Sequence, residues 1–372
     1  SDALAEGYAL QYTDSGEYVG YTTAANCTGI NTIEKVRVIK CDHNGANGFD
    51  VNDVMACPHC GAPAVAYTAL KNVEGNPWRN FADLQTAIDA DRNGGSVLRL
   101  LADVTGDYTI DSNVHTGLDL NGHSINGTVT VKAATGNYTT TFSNSGSTGG
   151  IEKVEAHSGA KLAGSGAPAV IGELTLADGA TWENILNLKT LGYKVLNADG
   201  SYKWYAPADI TDRTTLNNVI INSLPITSKS LSFNVDSKNV TSNKVERGTT
   251  VQLCAYCNTK DADVDIYVGT PAGDGTYAYS QKKAEYKKIG TMLYYVVDFE
   301  ANTVGTYSIY FTASKDGYSV TSAPKTLTVT KASIPANAIA APAGISDLIY
   351  NGSAQPLVTA GSVDAQYGTM QY

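Results

Sequence analysis

Seven short segments decide the fold: Val97-Leu98-Arg99-Leu100-Leu101, Tyr108-Thr109-Ile110, Leu118-Asp119-Leu120, Val129-Thr130-Val131, Thr139-Thr140-Thr141-Phe142, Ile151-Glu152-Lys153-Val154-Glu155 and Leu174-Thr175-Leu176. Gly, Asn, Asp or Ser punctuates them every ~8–12 residues, the spacing of strands joined by turns. Strands this short do not make a stable isolated hairpin. They become stable when each stacks on an equivalent strand above and below, as in a β-helix whose coils bury one continuous inner ladder. The open ends of such a stack need covers, because an exposed end invites edge pairing. Two flanking elements suit that task. The spacing predicts a helix over Asn80 to Asn93, with Asn80 as its cap and Asp83 in its first turn. Phe81, Leu84, Ala87 and Ile88 form its apolar face, and Gly94 and Gly95 stop it. At the other end stands a hairpin, residues 192–205.

That hairpin has a counterpart near the start of the chain. Gly7-Tyr8-Ala9-Leu10 runs through Asp14-Ser15-Gly16-Glu17-Tyr18 to Tyr21, and Gly192-Tyr193-Lys194-Val195 runs through Asp199-Gly200-Ser201-Tyr202 to Tyr205. Each reads as a short strand, an Asp/Gly turn and an aromatic return strand. The second copy ends a long β-rich segment, so a tandem array is expected, with a unit from about residue 22 to 206.

Beyond Pro207 the strands lengthen and alternate. Leu231, Phe233 and Val235 share a face, as do Leu293, Tyr295, Val297 and Phe299, and Tyr307, Ile309 and Phe311. With Val251/Leu253, Val264/Ile266 and Leu327/Val329, about seven strands fill residues 207–331, which suits an Ig-like β-sandwich. Gly305-Thr306-Tyr307-Ser308-Ile309 has the pattern of a tyrosine corner. A Pro/Ala-rich stretch then leads to Tyr350-Asn351-Gly352. The expected organisation is therefore all-β and multi-domain. Residues 1–22 are the tail hairpin of a preceding module and 23–76 a small zinc-binding segment. Residues 77–206 are a short right-handed parallel β-helix with its caps. Residues 207–331 are the Ig-like sandwich, and 332–372 the start of a further Ig-like module.

The chain has 372 residues, enough for two or three domains. With 36 Gly, 23 Tyr and only 3 Met, its composition favours β structure. A net charge of −10 and the lack of any basic cluster argue against nucleic acid. No apolar run approaches the ~20 residues of a membrane span.

Several of these segments resemble parts of the large modular surface proteins of Gram-positive gut or mucosal bacteria. Cys41-Asp42-His43 with Cys57-Pro58-His59-Cys60-Gly61 is similar to a small metal-binding module of such proteins that precedes a β-helix. Leu118-Asp119-Leu120-Asn121-Gly122-His123-Ser124-Ile125 resembles the turn-and-strand signature of right-handed β-helices. Leu348 to Leu357 resembles the start of a bacterial Ig-like repeat. The resemblance implies a secreted, cell-wall or cell-surface array without catalysis. Its expected role is adhesion to a host glycan or glycoprotein, mucin and immunoglobulin being partners of proteins of this kind. A spacer in a repeat-array adhesin is the alternative, and a β-helix polysaccharide lyase or hydrolase the less favoured one.

Among candidate sites, the Cys/His set carries the strongest chemistry. A structural zinc wants four Cys or His ligands in a tetrahedron, and two close-spaced pairs supply them: Cys41, His43, Cys57 and Cys60. Cys27 or His59 could replace His43, and disulfides are the competing reading. Cys254 and Cys257, on a β segment, read as buried or idle thiols, since residues three apart on a strand face opposite ways, with a local disulfide as the alternative if the chain turns there. His115, His123 and His157 read as turn or surface residues. Asp103, Asp107, Asp111 and Asp119 are the acids an enzyme would need, but they fall at turn positions where Asp serves the backbone. A ligand surface is expected at Tyr277, Tyr279, Tyr286, Tyr294 and Tyr295, with Lys282, Lys283, Lys287 and Lys288 among them, since aromatic faces stack on sugars and anchor interfaces.

Overall fold

Turn residues and alternating apolar side chains make the described residues 52% strand and 5% helix. The computed structural model describes residues 56–57, 60, 62–68, 78–90, 97–111, 116–133, 138–210, 212–272 and 274–364, and the backbone of 8–14, 17–22, 36–40, 49–50 and 69. It divides into two units, 1–224 and 225–372. The strands of the first unit are β1 (Tyr8–Asp14), β2 (Glu17–Thr22), β3 (Val36–Lys40), β4 (Phe49–Asp50), β5 (Ala66–Ala69), β6 (Trp78–Phe81), β7 (Val97–Leu100), β8 (Val104–Thr105), β9 (Tyr108–Ile110), β10 (Thr116–Asp119), β11 (Ile125–Val131), β12 (Thr140–Ser143), β13 (Ile151–Ala156), β14 (Leu162–Gly164), β15 (Ile171–Leu176), β16 (Leu191–Leu196), β17 (Tyr202–Tyr205) and β18 (Thr215–Ser223).

The segments between 97 and 176 wind into a β-solenoid of about 3 turns. On one face β7, β10, β12 and β14 pair in parallel; on the other β8 and β9, β11, β13 and β15 do so. Inward residues stack in register. Val104, Ile125, Ile151 and Ile171 form one ladder, Val129, Val154 and Leu174 a second, and Leu98, Leu118 and Phe142 a third; all are buried. β14 lies between β12 and the end of the stack, a strand that Leu162-Ala163-Gly164 is too short and too small to announce.

The stack is closed at both ends. β5 pairs antiparallel with β7 and β6, and the helix α1 (Leu84–Ala90) buries Leu84, Ala87 and Ile88. The helix begins later than its spacing predicts. Asn80 and Phe81 belong to β6, and Asp83 caps instead, its Oδ1 accepting from the Thr86 amide and hydroxyl, both at 2.7 Å. Residues 91–93 lie outside the described residues. At the far end β16 and β17 form the expected hairpin, and β1 and β2 form its counterpart. Residues 215–223, expected in the sandwich segment 207–331 because of their position, instead form β18, antiparallel between β15 and β16. The first unit accordingly runs past 206 to 224.

In the second unit β19 (Lys229–Val235), β20 (Lys238–Asn239), β22 (Thr250–Cys257), β25 (Glu285–Ile289) and β26 (Met292–Glu300) make one sheet, ordered β20-β19-β22-β26-β25. β21 (Lys244–Glu246), β23 (Asp263–Pro271), β24 (Tyr277–Lys283), β27 (Gly305–Lys315), β28 (Tyr318–Thr321) and β29 (Lys325–Thr330) make the other, ordered β21-β29-β27-β23-β24 with β28 on β27. Phe233, Leu253 and Val297 are buried on the first sheet, and Ile266, Ile309, Phe311 and Leu327 on the second. The rings of Phe299 and Tyr307 meet edge-on at 5.1 Å between the sheets. The Tyr307 hydroxyl donates to the Thr303 carbonyl at 2.8 Å, the bond a tyrosine corner makes. Further on, β30 (Ile339–Ala340) pairs with β31 (Ser362–Val363).

Candidate binding surface

Strand periodicity builds this surface. Ile266, Val268, Ile309 and Phe311 point into the core of the second unit. Tyr267, Gly269, Ser308 and Tyr310 therefore share the other face of β23 and β27, Tyr267 opposite Tyr310 and Gly269 opposite Ser308. On β24, Tyr277, Tyr279 and Gln281 lie opposite Pro271, Gly269 and Tyr267. The rings of Tyr267 and Tyr310 stack at 4.7 Å with planes 6° apart, Tyr279 meets Tyr310 edge-on at 5.0 Å, and Tyr277 lies 6.2 Å from Tyr279.

Gly269 makes this possible. A Cβ there would sit 2.7 Å from Cε1 of Tyr279 and 2.9 Å from Cβ of Tyr277. Without one, the Tyr279 ring lies down on the strand, and its hydroxyl bonds Ser308 Oγ at 3.0 Å. Tyr279 is thus held at both ends yet remains 43% exposed. Burial, with Tyr267 and Tyr279 adding to it, raises the Tyr310 phenol above its ordinary value, so it stays a neutral hydrogen-bonding group. At one end of the surface Lys283 pairs with Asp263 and lies 3.8 Å from Asp265, and at the other Asp274 accepts from the Thr276 amide at 2.9 Å.

The five tyrosines expected to act together are divided among three places. Tyr277 and Tyr279 lie on this surface. Tyr286 and Tyr295 meet at 4.8 Å on the other sheet, and Tyr295 is buried, its oxygen accepting from the Ala262 amide at 2.9 Å and donating to the Thr259 carbonyl at 3.1 Å. Tyr294 faces the opposite way on β26 and meets Tyr256 at 6.2 Å. Tyr267 and Tyr310 complete the surface and escape a search for clustered tyrosines. Their signal is parity: each stands between two buried apolar neighbours on its own strand.

The acids of the solenoid are engaged in holding coils together. Oδ1 of Asp103 accepts from the Ser124 amide and Oδ1 of Asp107 from the Thr128 amide, each at 2.8 Å. Asp119 accepts from the Asn121 and Ser145 amides, from the Ser145 hydroxyl and from Arg99 Nε, at 2.7–3.0 Å. These carboxylates bind the backbone of the following coil, beyond the local turn bonds that their sequence positions suggest. Asp111 lies 3.9 Å from Lys132, and His157 lies between Glu155 and Asp178 at 2.9 and 2.6 Å. His123 lies 3.4 Å from Asp103. His115 falls outside the described residues.

Of the expected zinc ligands, Cys57 and Cys60 are described, and Cys41 and His43, like Cys27 and His59, lie outside the described residues. An Ala56–Pro63 bridge and a 2.7 Å bond from the Cys57 amide to the Ala62 carbonyl set Cys57 beside Ala62. Cys57 is buried there with Ala62 and Ala64, and Cys60 packs against them. Among the described residues no group of three or more His, Cys, Asp or Glu converges on a metal position. Cys254 and Cys257 are free, buried thiols on β22. Burial, helped by Asp298, pushes the Cys254 thiol up to about 11, which removes its nucleophilic thiolate at neutral pH.

No protein-family model matches the chain, and no curated protein matches it in sequence.

Proposed function

We propose that this chain is a non-catalytic binding segment of a secreted bacterial cell-surface protein, which engages a host glycan or glycoprotein through the tyrosine surface of β23, β24 and β27. The single observation that carries the reading is the uncharged cluster of Tyr267, Tyr277, Tyr279 and Tyr310, packed ring against ring and partly open to solvent. An immobilised aromatic face loses little conformational entropy on binding, and its hydroxyls orient the ligand. A surface of this kind suits a neutral saccharide. Serum glycoproteins such as immunoglobulin are the protein partners to test beside mucin.

The second unit is read as an Ig-like sandwich. One sheet has the chain order of strands A-B-E-D and the other that of G-F-C, β21 runs parallel to β29 beside it, and Tyr307 makes the corner bond. The solenoid is read as right-handed, the hand of nearly all parallel crossovers. The Cys57–Cys60 turn is read as half of a structural zinc site completed by Cys41 and His43, which would hold residues 23–76 together and leave no open position for chemistry.

Immobilised mucin and a glycan array, probed with the purified chain, test the binding reading. Tyr279→Ala should weaken capture at least tenfold, and Tyr286→Ala should leave it within threefold. Capture that ignores Tyr279→Ala, or no capture at all, would move the chain to the spacer role. Release of reducing ends from a bound polysaccharide, abolished by one Asp replacement, would overturn the non-catalytic reading. Metal analysis should find one zinc per chain, lost in Cys57→Ser.

A further inference from the structure

We propose that Trp78, Tyr67 and Arg99 form a separate binding site on the outer face of the solenoid, for a sugar unit that carries a carboxylate. The site rests on different residues from the tyrosine surface and stands whether or not that surface binds.

Register places the three together. Leu98 and Leu100 point inward from β7, so Arg99 points outward, opposite Tyr67 on β5 and opposite Asp119 on β10. Trp78 lies opposite Ala69, two residues along β5 from Tyr67. The Trp78 and Tyr67 rings are 5.4 Å apart, and the Arg99 guanidinium lies 5.7 Å from the Tyr67 ring centre. Trp78 is 45% exposed and the Arg99 side chain 39%.

Arg99 is fixed in advance. Its Nε donates to Asp119 Oδ2 and its Nη1 to the Tyr67 hydroxyl, each at 2.9 Å. Among the described residues Nη2 has no acceptor, and the Arg99 side chain is 39% exposed. Asp119 offsets much of the Arg99 charge, so the donor geometry of the fork, rather than net charge, is what a ligand would read. The Asp119 side chain is only 4% exposed, and its charge is already spread into the Ser145 and Asn121 amides and the Ser145 hydroxyl. A planar guanidinium with open N–H groups fits a carboxylate, and the adjacent indole offers a stacking face to the ring that bears it. Among the described residues, Val97 and Gly117 beside this row and Asn80 opposite Tyr67 are uncharged.

Calorimetric titration of the intact chain with trigalacturonate and with its methyl ester tests the site. The acid is expected to bind at least tenfold more tightly than the ester, with affinity falling as salt is raised. Trp78→Ala, at an exposed position outside the core, should remove at least tenfold of the affinity with an unchanged melting temperature. Arg99→Lys should do the same by losing the fork while keeping the charge, and Tyr279→Ala should change nothing. Equal binding of acid and ester, binding that survives Trp78→Ala, or no binding of the acid at millimolar concentration would each overturn the proposal. If Arg99→Lys disturbs the coil, the ester comparison and Trp78→Ala still decide.

Discussion

Asp119 shows how a single residue serves the fold. Burial by itself would raise its carboxyl, but the bonds from Ser145, Asn121 and Arg99 outweigh burial and hold it below the usual carboxylate range. A depressed folded value means that the stabilisation is present above the unfolded pKa of about 3.9 and is lost as pH falls through the folded value. Asp119→Asn should therefore cost about 2–3 kcal/mol at pH 7, and that difference should shrink below about pH 4, as read from denaturant melts across pH. Gly269 serves the binding surface instead. Gly269→Ala puts a methyl against Tyr279 and Tyr277 and should lift the ring. The expected result is a loss of capture comparable to Tyr279→Ala with a destabilisation of about 1–3 kcal/mol, since a methyl 2.9 Å from the Tyr277 Cβ forces its neighbours to shift. A variant that keeps full capture would show that the flat Tyr279 ring is not what the ligand meets.

Among the elements, the inner ladders carry the solenoid. Ile125 sits in register between Val104 and Ile151 and is fully buried, so Ile125→Ala opens a cavity shared by two neighbouring coils. The cost should be about 2–5 kcal/mol, and a double-mutant cycle with Ile151→Ala should be non-additive, because stacked coils are coupled to their nearest neighbours. The helix is a smaller contributor. Asp83→Ala removes the acceptor of two bonds from Thr86 and should cost about 1 kcal/mol by thermal melt. Asn80, whose sequence position resembles a cap, is instead buried in β6. A strand pairing that buries both Asn80 and Phe81 outweighs the local capping preference.

For the whole molecule, β18 decides where the first unit ends. Its outer partners are β15 and β16, so it covers the edge that the last parallel coil would otherwise present. A chain cut after residue 224 should stay monomeric and melt cooperatively, whereas one cut after 206 should associate through the bared edge of β15. Size-exclusion chromatography of the two fragments tests this, and equal behaviour would argue that β16 alone is a sufficient cover. Among the described residues the sheets of the second unit are built from β19 to β29. Residues 225–331 should consequently fold when expressed alone, with the β-sheet circular dichroism of the intact unit.

Much of this organisation is written locally. Alternation in Leu231, Phe233 and Val235, turn residues such as Asn121-Gly122 with their positive φ of 50° and 89°, and short apolar runs of similar length suffice to mark strands, turns and a stacked core. The hairpin 192–205 and the inward ladders follow from those signals because side-chain period and turn chemistry act over a few residues. Pairing does not. Thr215–Ser223 breaks its alternation at Asn218, with Leu216, Val219 and Ile221 buried, so its period names no neighbour, and the free edge of β15 assigned it to the solenoid. The tyrosines nearest in sequence, Tyr294 and Tyr295, point to opposite faces of β26, whereas Tyr267 and Tyr310 meet because β23 and β27 are neighbours in one sheet. Sequence periodicity says which face of a strand a residue takes. Which strand lies beside it depends on long-range hydrogen bonding and core closure, and so the tertiary structure decided that Tyr267 and Tyr310 join Tyr277 and Tyr279, and that Trp78, Tyr67 and Arg99 meet.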